Sequence, residues 1–287
     1  MKITLATLLA RAIAEGNTAH LETSALDAEV LMAYVLKKDR VYCLAHPEKV
    51  LSVAQISAFT KLWNRRVLKR VPVAYLVGKK AFYGLDFFVE ARQCLIPRPE
   101  TEELVELVLE HVKKNLTRLP VLEVGTGSGC IALALAKYLP TTASLIATDI
   151  SMKALALAKK NARALGFLKR VRFVKASFFP TDLKKTDLIV ANLPYLSEKE
   201  YVAALKKYPE LQHEPKGALV SGAAGLDAIE SLLRRAPKVL TTDGCIMLEI
   251  GFAQGKKVTA LAKKYFPEKE CTIVRDGCNF DRFVVIR

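Results

Sequence analysis

Val121-Leu122-Glu123-Val124-Gly125-Thr126-Gly127-Ser128-Gly129-Cys130 is the stretch that decides the fold. Val121–Val124 reads as a short buried strand and 130–138 as a helix, with glycines between them. Glycine permits a tight turn and lets backbone approach a ligand closely. The N-terminus of the helix behind it offers free N–H groups. A second strand, 145–148, ends at Asp149, about twenty residues after the loop. An acid there is placed to accept hydrogen bonds from two ribose hydroxyls.

The same alternation runs on downstream. A helix over 152–165 is capped by Ser151 and ended by Gly166. Strands are expected at 171–175, 188–191 and 246–250, helices at 226–239 and 256–265, and a closing strand pair at 271–275 and 282–286. Repeated β-α units imply an α/β fold with a parallel sheet covered on both faces. Seven strands are expected, mostly parallel and Rossmann-like, with an antiparallel strand near the end.

Upstream the pattern changes. Residues 1–71 read as a small helical domain for substrate recognition. Thr4 caps its first helix, with Leu5, Leu8, Leu9, Ala12 and Ile13 on one face. Ser24–Asp27 and Ser52–Gln55 resemble capping boxes. Leu26, Val30, Leu31, Tyr34 and Val35 then form one inner face, and Ile56, Phe59, Trp63 and Val67 another. Val73 to Val89 turns to Tyr, Phe, Val and Gly, which suggests a β-hairpin within a linker over 72–95. The catalytic domain spans 96–287, where Pro97 and Pro99 forbid a helix until Glu100.

Composition narrows the class. The chain has 287 residues, 51% hydrophobic and 25% charged, an ordinary globular profile. No apolar run approaches the roughly 20 residues needed to span a bilayer. Thr4 and Thr7 interrupt the N-terminal apolar run and no convincing cleavage site follows, so no signal peptide is expected. Six cysteines are scattered without Cys-x-x-Cys and four histidines are dispersed, which predicts no metal site and thiols in a reducing cytoplasm. The net charge of +15 favours an acidic partner. Its basic residues come in pairs rather than blocks, so weak nucleic-acid contact is the most they suggest. A monomer is expected.

A second motif, Asn192-Leu193-Pro194-Tyr195, follows the apolar run Leu188-Ile189-Val190-Ala191. A carboxamide, a rigid turn and an aromatic ring thus sit at a strand's C-terminal end, where ligands bind in open α/β sheets. A carboxamide and nearby carbonyls can hold a planar –NH2 group by its two hydrogens. By itself the segment reads first as a plain proline-bearing turn, and the rest of the sequence reverses that reading.

Two resemblances sharpen this. The alternating glycines, preceded by an acid, differ from the Gly-x-Gly-x-x-Gly of nicotinamide sites. They resemble the loop of S-adenosylmethionine-dependent methyltransferases. Added to that loop, in order along the chain, are Pro72–Gly78, Leu95-Ile96-Pro97-Arg98-Pro99-Glu100-Thr101-Glu102, the 192–195 motif, Glu214-Pro215, Gly222, Gly225-Leu226 and Leu248-Glu249-Ile250-Gly251. From about residue 72 onward the chain resembles the HemK/PrmC family. That family methylates the side-chain amide of the glutamine in the Gly-Gly-Gln motif of peptide-chain release factors.

The resemblance implies a site. Glu123, Gly125, Thr126, Gly127, Ser128, Gly129, Asp149, Ile150, Ser177, Phe178 and Asn192 would hold S-adenosyl-L-methionine, leaving S-adenosyl-L-homocysteine as product. Asn192, Leu193, Pro194 and Tyr195 would bind and orient the glutamine, with Arg98 and Glu100 near the mouth. The amide is a poor nucleophile, so alignment rather than deprotonation is the task. Two departures stand out. Leu193 replaces the second residue of the family's Asn-Pro-Pro-Tyr, and Ser177-Phe178-Phe179 replaces an Asp-Trp-Phe-like run. Asn-Leu-Pro-Tyr also occurs in ribosomal-RNA adenine N6-methyltransferases, so an adenine or guanine N-methyltransferase acting on RNA or DNA is the alternative. A non-enzymatic binding module would need a degraded glycine loop, and this loop is intact.

Overall fold

The computed structural model describes residues 2–115 and 120–287. The chain separates into two compact units, Met1–Lys79 and Lys80–Arg287. Among the described residues no helix is long and apolar enough to cross a membrane.

The first unit is helical. Its elements are α1 (Leu5–Thr18), α2 (Ser24–Leu36), α3 (Arg40–Ala45), α4 (Val53–Lys69) and the short α5 (Val73–Val77). They enclose a core that includes Leu5, Leu31, Met32, Phe59 and Trp63. Thr4 caps α1, and Ser52 with Gln55 forms the reciprocal box that opens α4. Helix α2 departs from expectation. Thr23 is its N-cap, without a side-chain capping bond, and Ser24 instead donates to the Leu21 carbonyl at 2.8 Å. Its inner face is also rotated: Leu26 and Tyr34 are exposed, while Asp27 is buried against Arg66 Nε at 2.6 Å. Stripping one partner from a buried ion pair costs about 3–5 kcal/mol, so this pair fixes which face turns inward. Apolar periodicity alone does not see it.

Residues 73–77, expected as strand, form α5. Pro72 precedes its first turn and Gly78, at φ 72°, ends it in the left-handed region. Leu76 then reaches the helical core. The hairpin is confined to β1 (Lys79–Phe82) and β2 (Leu85–Phe88). Phe82 and Phe87 are buried in the core of the second unit.

That unit is built on β3 (Val121–Val124), β4 (Leu145–Asp149), β5 (Val171–Lys175), β6 (Thr186–Asn192), β7 (Leu240–Glu249), β8 (Cys271–Arg275) and β9 (Asp281–Ile286). Their order is β5-β4-β3-β6-β7-β9-β8 in a 7-stranded sheet. Strand β9 runs antiparallel to both its neighbours and the other pairings are parallel. Helices α6 (Pro99–Lys114), α7 (Cys130–Tyr138) and α8 (Met152–Ala164) bury residues against one face. Helices α10 (Asp227–Arg235) and α11 (Gly255–Tyr265) cover the other. The helix expected over 226–239 yields after Arg235 to a 3-10 turn at Ala236–Lys238, because Pro237 has no N–H to continue the ladder. Helix α9 (Glu198–Lys207) was not expected, although Ser197 and Glu200 make a capping box at its start.

The strands' period of two sets up the site. Val121, Leu188, Val190, Cys245 and Met247 join the α6/α7 side of the core. Leu122, Val124, Ile189, Ala191, Ile246 and Leu248 join the other side. Continuing the alternation carries Glu123, Asn192 and Glu249 to the α6/α7 face at the strands' carboxyl ends. Asn192 and Glu249 are register partners on adjacent strands.

Candidate active site

A cleft of about 580 Å³ opens over the ends of β3, β4 and β6, where the strand order reverses. Ligands bind at this switch point in doubly wound sheets. Its walls include Glu123, Gly125, Thr126, Gly127, Ser128, Asp149, Ile150, Ser177, Phe178, Arg98 and the corner Asn192, Leu193, Pro194 and Tyr195. Two of the expected residues are not in its lining. Gly129 sits behind the loop at φ 84°, where a Cβ would come within 3.1 Å of Ala158 Cβ. Its job is close helix packing. Glu100, in the first turn of α6, is exposed outside the cleft.

On the loop side, Glu123 is only 2% exposed. Its Oε2 accepts from the Thr126 hydroxyl at 2.6 Å and from the Ala132 N–H at 3.1 Å. Burial pushes this carboxyl up to about 7, against the pull of those two bonds. Glu123 thus ties the loop to α7. Gly127, at φ 55°, has open space where a Cβ would stand. Its N–H donates to Asp149 Oδ2 at 2.9 Å, and the Ser151 N–H donates to Oδ1 at 2.8 Å. Each carboxylate oxygen keeps a further lone pair, enough for two hydroxyls. Ile150 and Phe178 add apolar wall, and the Arg235 guanidinium lies 5.2 Å from the Phe178 ring centroid. An open glycine backbone, a two-oxygen acid and a flat apolar wall fit a nucleoside that carries an amino-acid chain.

On the other side, the Asn192 Nδ2 donates to Thr101 Oγ1 at 3.1 Å, and Thr101 Oγ1 donates to Glu249 Oε2 at 2.7 Å. Among the described residues no group donates to Asn192 Oδ1. Burial pushes the Glu249 carboxyl up to about 7; Thr101 and Arg282 act in the opposite sense. The Tyr195 carbonyl accepts from Gln254 Nε2 at 2.8 Å. A Cβ on Gly225 would stand 2.3 Å from that carbonyl, so only glycine fits there. A Cβ on Gly125 would stand 3.1 Å from Leu193 Cδ2, which keeps the loop close to the corner. Burial pushes the Tyr195 hydroxyl up to about 12, so it stays neutral. Arg98 pairs with the buried Glu214, which also accepts from the Ile96 N–H at 3.1 Å.

Sequence reasoning missed several members of this arrangement. Asn161 donates to the Ser128 carbonyl at 2.8 Å and to the Phe88 carbonyl at 3.0 Å, so it clamps the loop from beneath. An asparagine between Ala158 and Ala162 on a buried helix face was its only signal. Thr101, Glu214 and Glu249 lie inside quoted motifs but carried no assigned role. Gln254 had no signal at all.

Comparison with known proteins follows this division. The PrmC N-terminal domain matches residues 7–78, and a methyltransferase domain matches residues 121–212. A release factor glutamine methyltransferase of Nitratidesulfovibrio vulgaris is 36% identical, over 99% of this chain and 95% of its own. The chain belongs to the release factor glutamine methyltransferase family. Another member, from Coxiella burnetii, is 37% identical over 96% of each chain. The hMettl16 catalytic domain, solved in complex with MAT2A 3'UTR hairpin 6, is similar in fold only. It is 15% identical, with a TM-score of 0.52 over 81% of both chains. Within the family's 192–195 motif, Leu193 is 7% exposed and packs into the core beneath the corner. The missing proline is therefore replaced by a hydrophobic anchor, while Pro194 still biases residue 193 toward an extended backbone.

Proposed function

We propose that this protein transfers a methyl group from S-adenosyl-L-methionine to the side-chain amide nitrogen of the glutamine in the Gly-Gly-Gln motif of class 1 release factors. It would thereby support translation termination in the cytoplasm. Family membership and the methyltransferase domain support the reaction. The observation that carries the site reading is the Asn192 carboxamide at the cleft wall, its Nδ2 engaged by Thr101 and its Oδ1 unclaimed. The nucleic-base alternative is not favoured by the relatives.

The bound cofactor supplies an electrophilic methyl on a sulfonium. Asp149 would take its ribose hydroxyls and the Gly125–Ser128 backbone its methionyl end. Asn192 Oδ1 and the Leu193 carbonyl would each accept one hydrogen of the glutamine –NH2. Those two bonds orient the nitrogen and favour the positive charge that grows on it. Tyr195, neutral and fixed by Gln254 through its carbonyl, would pack along the glutamine methylenes. Leu193 keeps its carbonyl, so the family's second acceptor is retained. Arg98, bound to Glu214, would anchor the loop rather than touch substrate. The helical unit would recognise the release factor. The test is transfer of labelled methyl to purified release factor, with a Gln→Ala substitution in its Gly-Gly-Gln as control and with RNA and DNA as rival acceptors. Label on nucleic acid and none on the protein would overturn the reading.

A further inference from the structure

We propose that Thr101 and Glu249 are positioning residues that fix which way round the Asn192 carboxamide sits. This rests on the reading that Asn192 accepts the substrate amide. An asparagine side chain has two ends of nearly the same shape, one accepting and one donating. With oxygen toward the cleft it holds an –NH2 group. With nitrogen toward the cleft it sets donor against donor and repels that group. Something must therefore choose.

The choice is made at the buried end of a short relay. Glu249, 1% exposed, offers only acceptors as a carboxylate. The single proton of the Thr101 hydroxyl goes to it at 2.7 Å. Thr101 Oγ1 then has only lone pairs left, and it takes the Asn192 Nδ2 at 3.1 Å. Oδ1 is left for the cleft. The sheet builds this geometry directly. Asn192 and Glu249 are register partners on β6 and β7, so their side chains rise on one face. Thr101, in the first turn of α6, bridges them from above. Burial opposes the charged form of Glu249, as does Glu100 on α6; the Thr101 hydroxyl, Arg282 on β9 and the Asn192 amide favour it, so the carboxylate that the relay requires prevails above about 7.

Thr101→Ala and Thr101→Ser differ by one hydroxyl, and Thr101→Val keeps the shape without it. Turnover on release factor should fall at least ~10-fold in the Ala and Val variants, because their acceptor is no longer oriented. Cofactor dissociation constants should stay within about twofold and the Ser variant should keep turnover within about threefold of wild type. A second readout needs no substrate. In protein labelled with nitrogen-15, the Asn192 –NH2 resonances should move in Ala and Val but stay near their wild-type positions in Ser. Equal loss in Ser and Ala, or full turnover in both Ala and Val, would overturn the relay. So would resonances that ignore the hydroxyl. A wild-type protein inactive on release factor whose Asn192 resonances still follow the hydroxyl would sink the substrate reading and uphold the relay.

Discussion

The two walls of the cleft are held by different means. The loop wall is stabilised locally: Glu123 reaches Thr126 three residues on, and Asp149 closes the loop from the next strand. The corner wall is stabilised across the chain. Asn192 reaches Thr101, which reaches Glu249, and Tyr195 reaches Gln254. Each wall also buries one carboxylate that is pushed up to about 7. The loop nearly builds itself from one βαβ unit, braced from outside by Asn161 on α8. The corner forms only once α6, β6, β7 and the N-cap of α11 have all been assembled.

If that division is right, damage to the walls separates into turnover and affinity. The largest effect is expected at Asn192. In Asn192→Ala, turnover should drop at least ~10²-fold while the cofactor dissociation constant barely moves, because its acceptor acts mainly during transfer. Single-turnover rates and equilibrium titration of the same protein read the two quantities. Near-normal turnover would remove Asn192 from the mechanism.

On the loop wall the effect inverts. Asp149→Ala should weaken cofactor binding by about 10-fold or more through the loss of charge-assisted bonds to hydroxyls. At saturating cofactor its turnover should stay near wild type. Calorimetric titration decides: an unchanged dissociation constant would count against the ribose assignment. The same substitution leaves the Gly127 and Ser151 N–H groups without their acceptor, so part of the loss would come from a looser loop.

Legibility in the sequence follows the same line. Val121–Val124, Cys130–Tyr138, Val171–Lys175 and Cys271–Arg275 were readable to the residue, because period and punctuation are local signals. The loop's acid and glycines were readable too. Asn192 was visible as a motif, yet the groups that orient it were not. Thr101 and Glu249 lie 148 residues apart, and nothing in either segment announces the other. Helix α2 failed for a related reason. Its apolar residues suit more than one face, and Asp27 turns inward where Arg66 on α4 and the Thr23 hydroxyl both meet its carboxylate. Residues 73–77 failed in the opposite direction. Their composition favours strand, but a single turn between Pro72 and Gly78 is helical because it delivers Leu76 to a core.

The smallest expected effect tests whether the two buried acids are equivalent. Glu123 and Glu249 each titrate near 7 when folded, against 4.5 ordinarily. Between those values the folded protein keeps protons that the unfolded chain has released. Stability must therefore fall as pH rises through that window and level off above about 7. His111, whose ring burial holds below its ordinary 6.5, works in the other sense, losing stability as pH falls. Comparing wild type with Glu123→Gln and with Glu249→Gln cancels that contribution. Each glutamine should flatten the wild-type slope of unfolding free energy, taken from urea titrations, against pH by a similar share, about 1.4 kcal/mol per pH unit within that window. Circular dichroism is the appropriate probe, since Trp63 reports only the helical unit. A slope unaltered by either substitution would mean that burial does not hold these protons. A slope altered by Glu123→Gln alone would mean that Arg282 and the Thr101 hydroxyl keep Glu249 charged throughout, which would strengthen the relay at the corner while ending its symmetry with the loop.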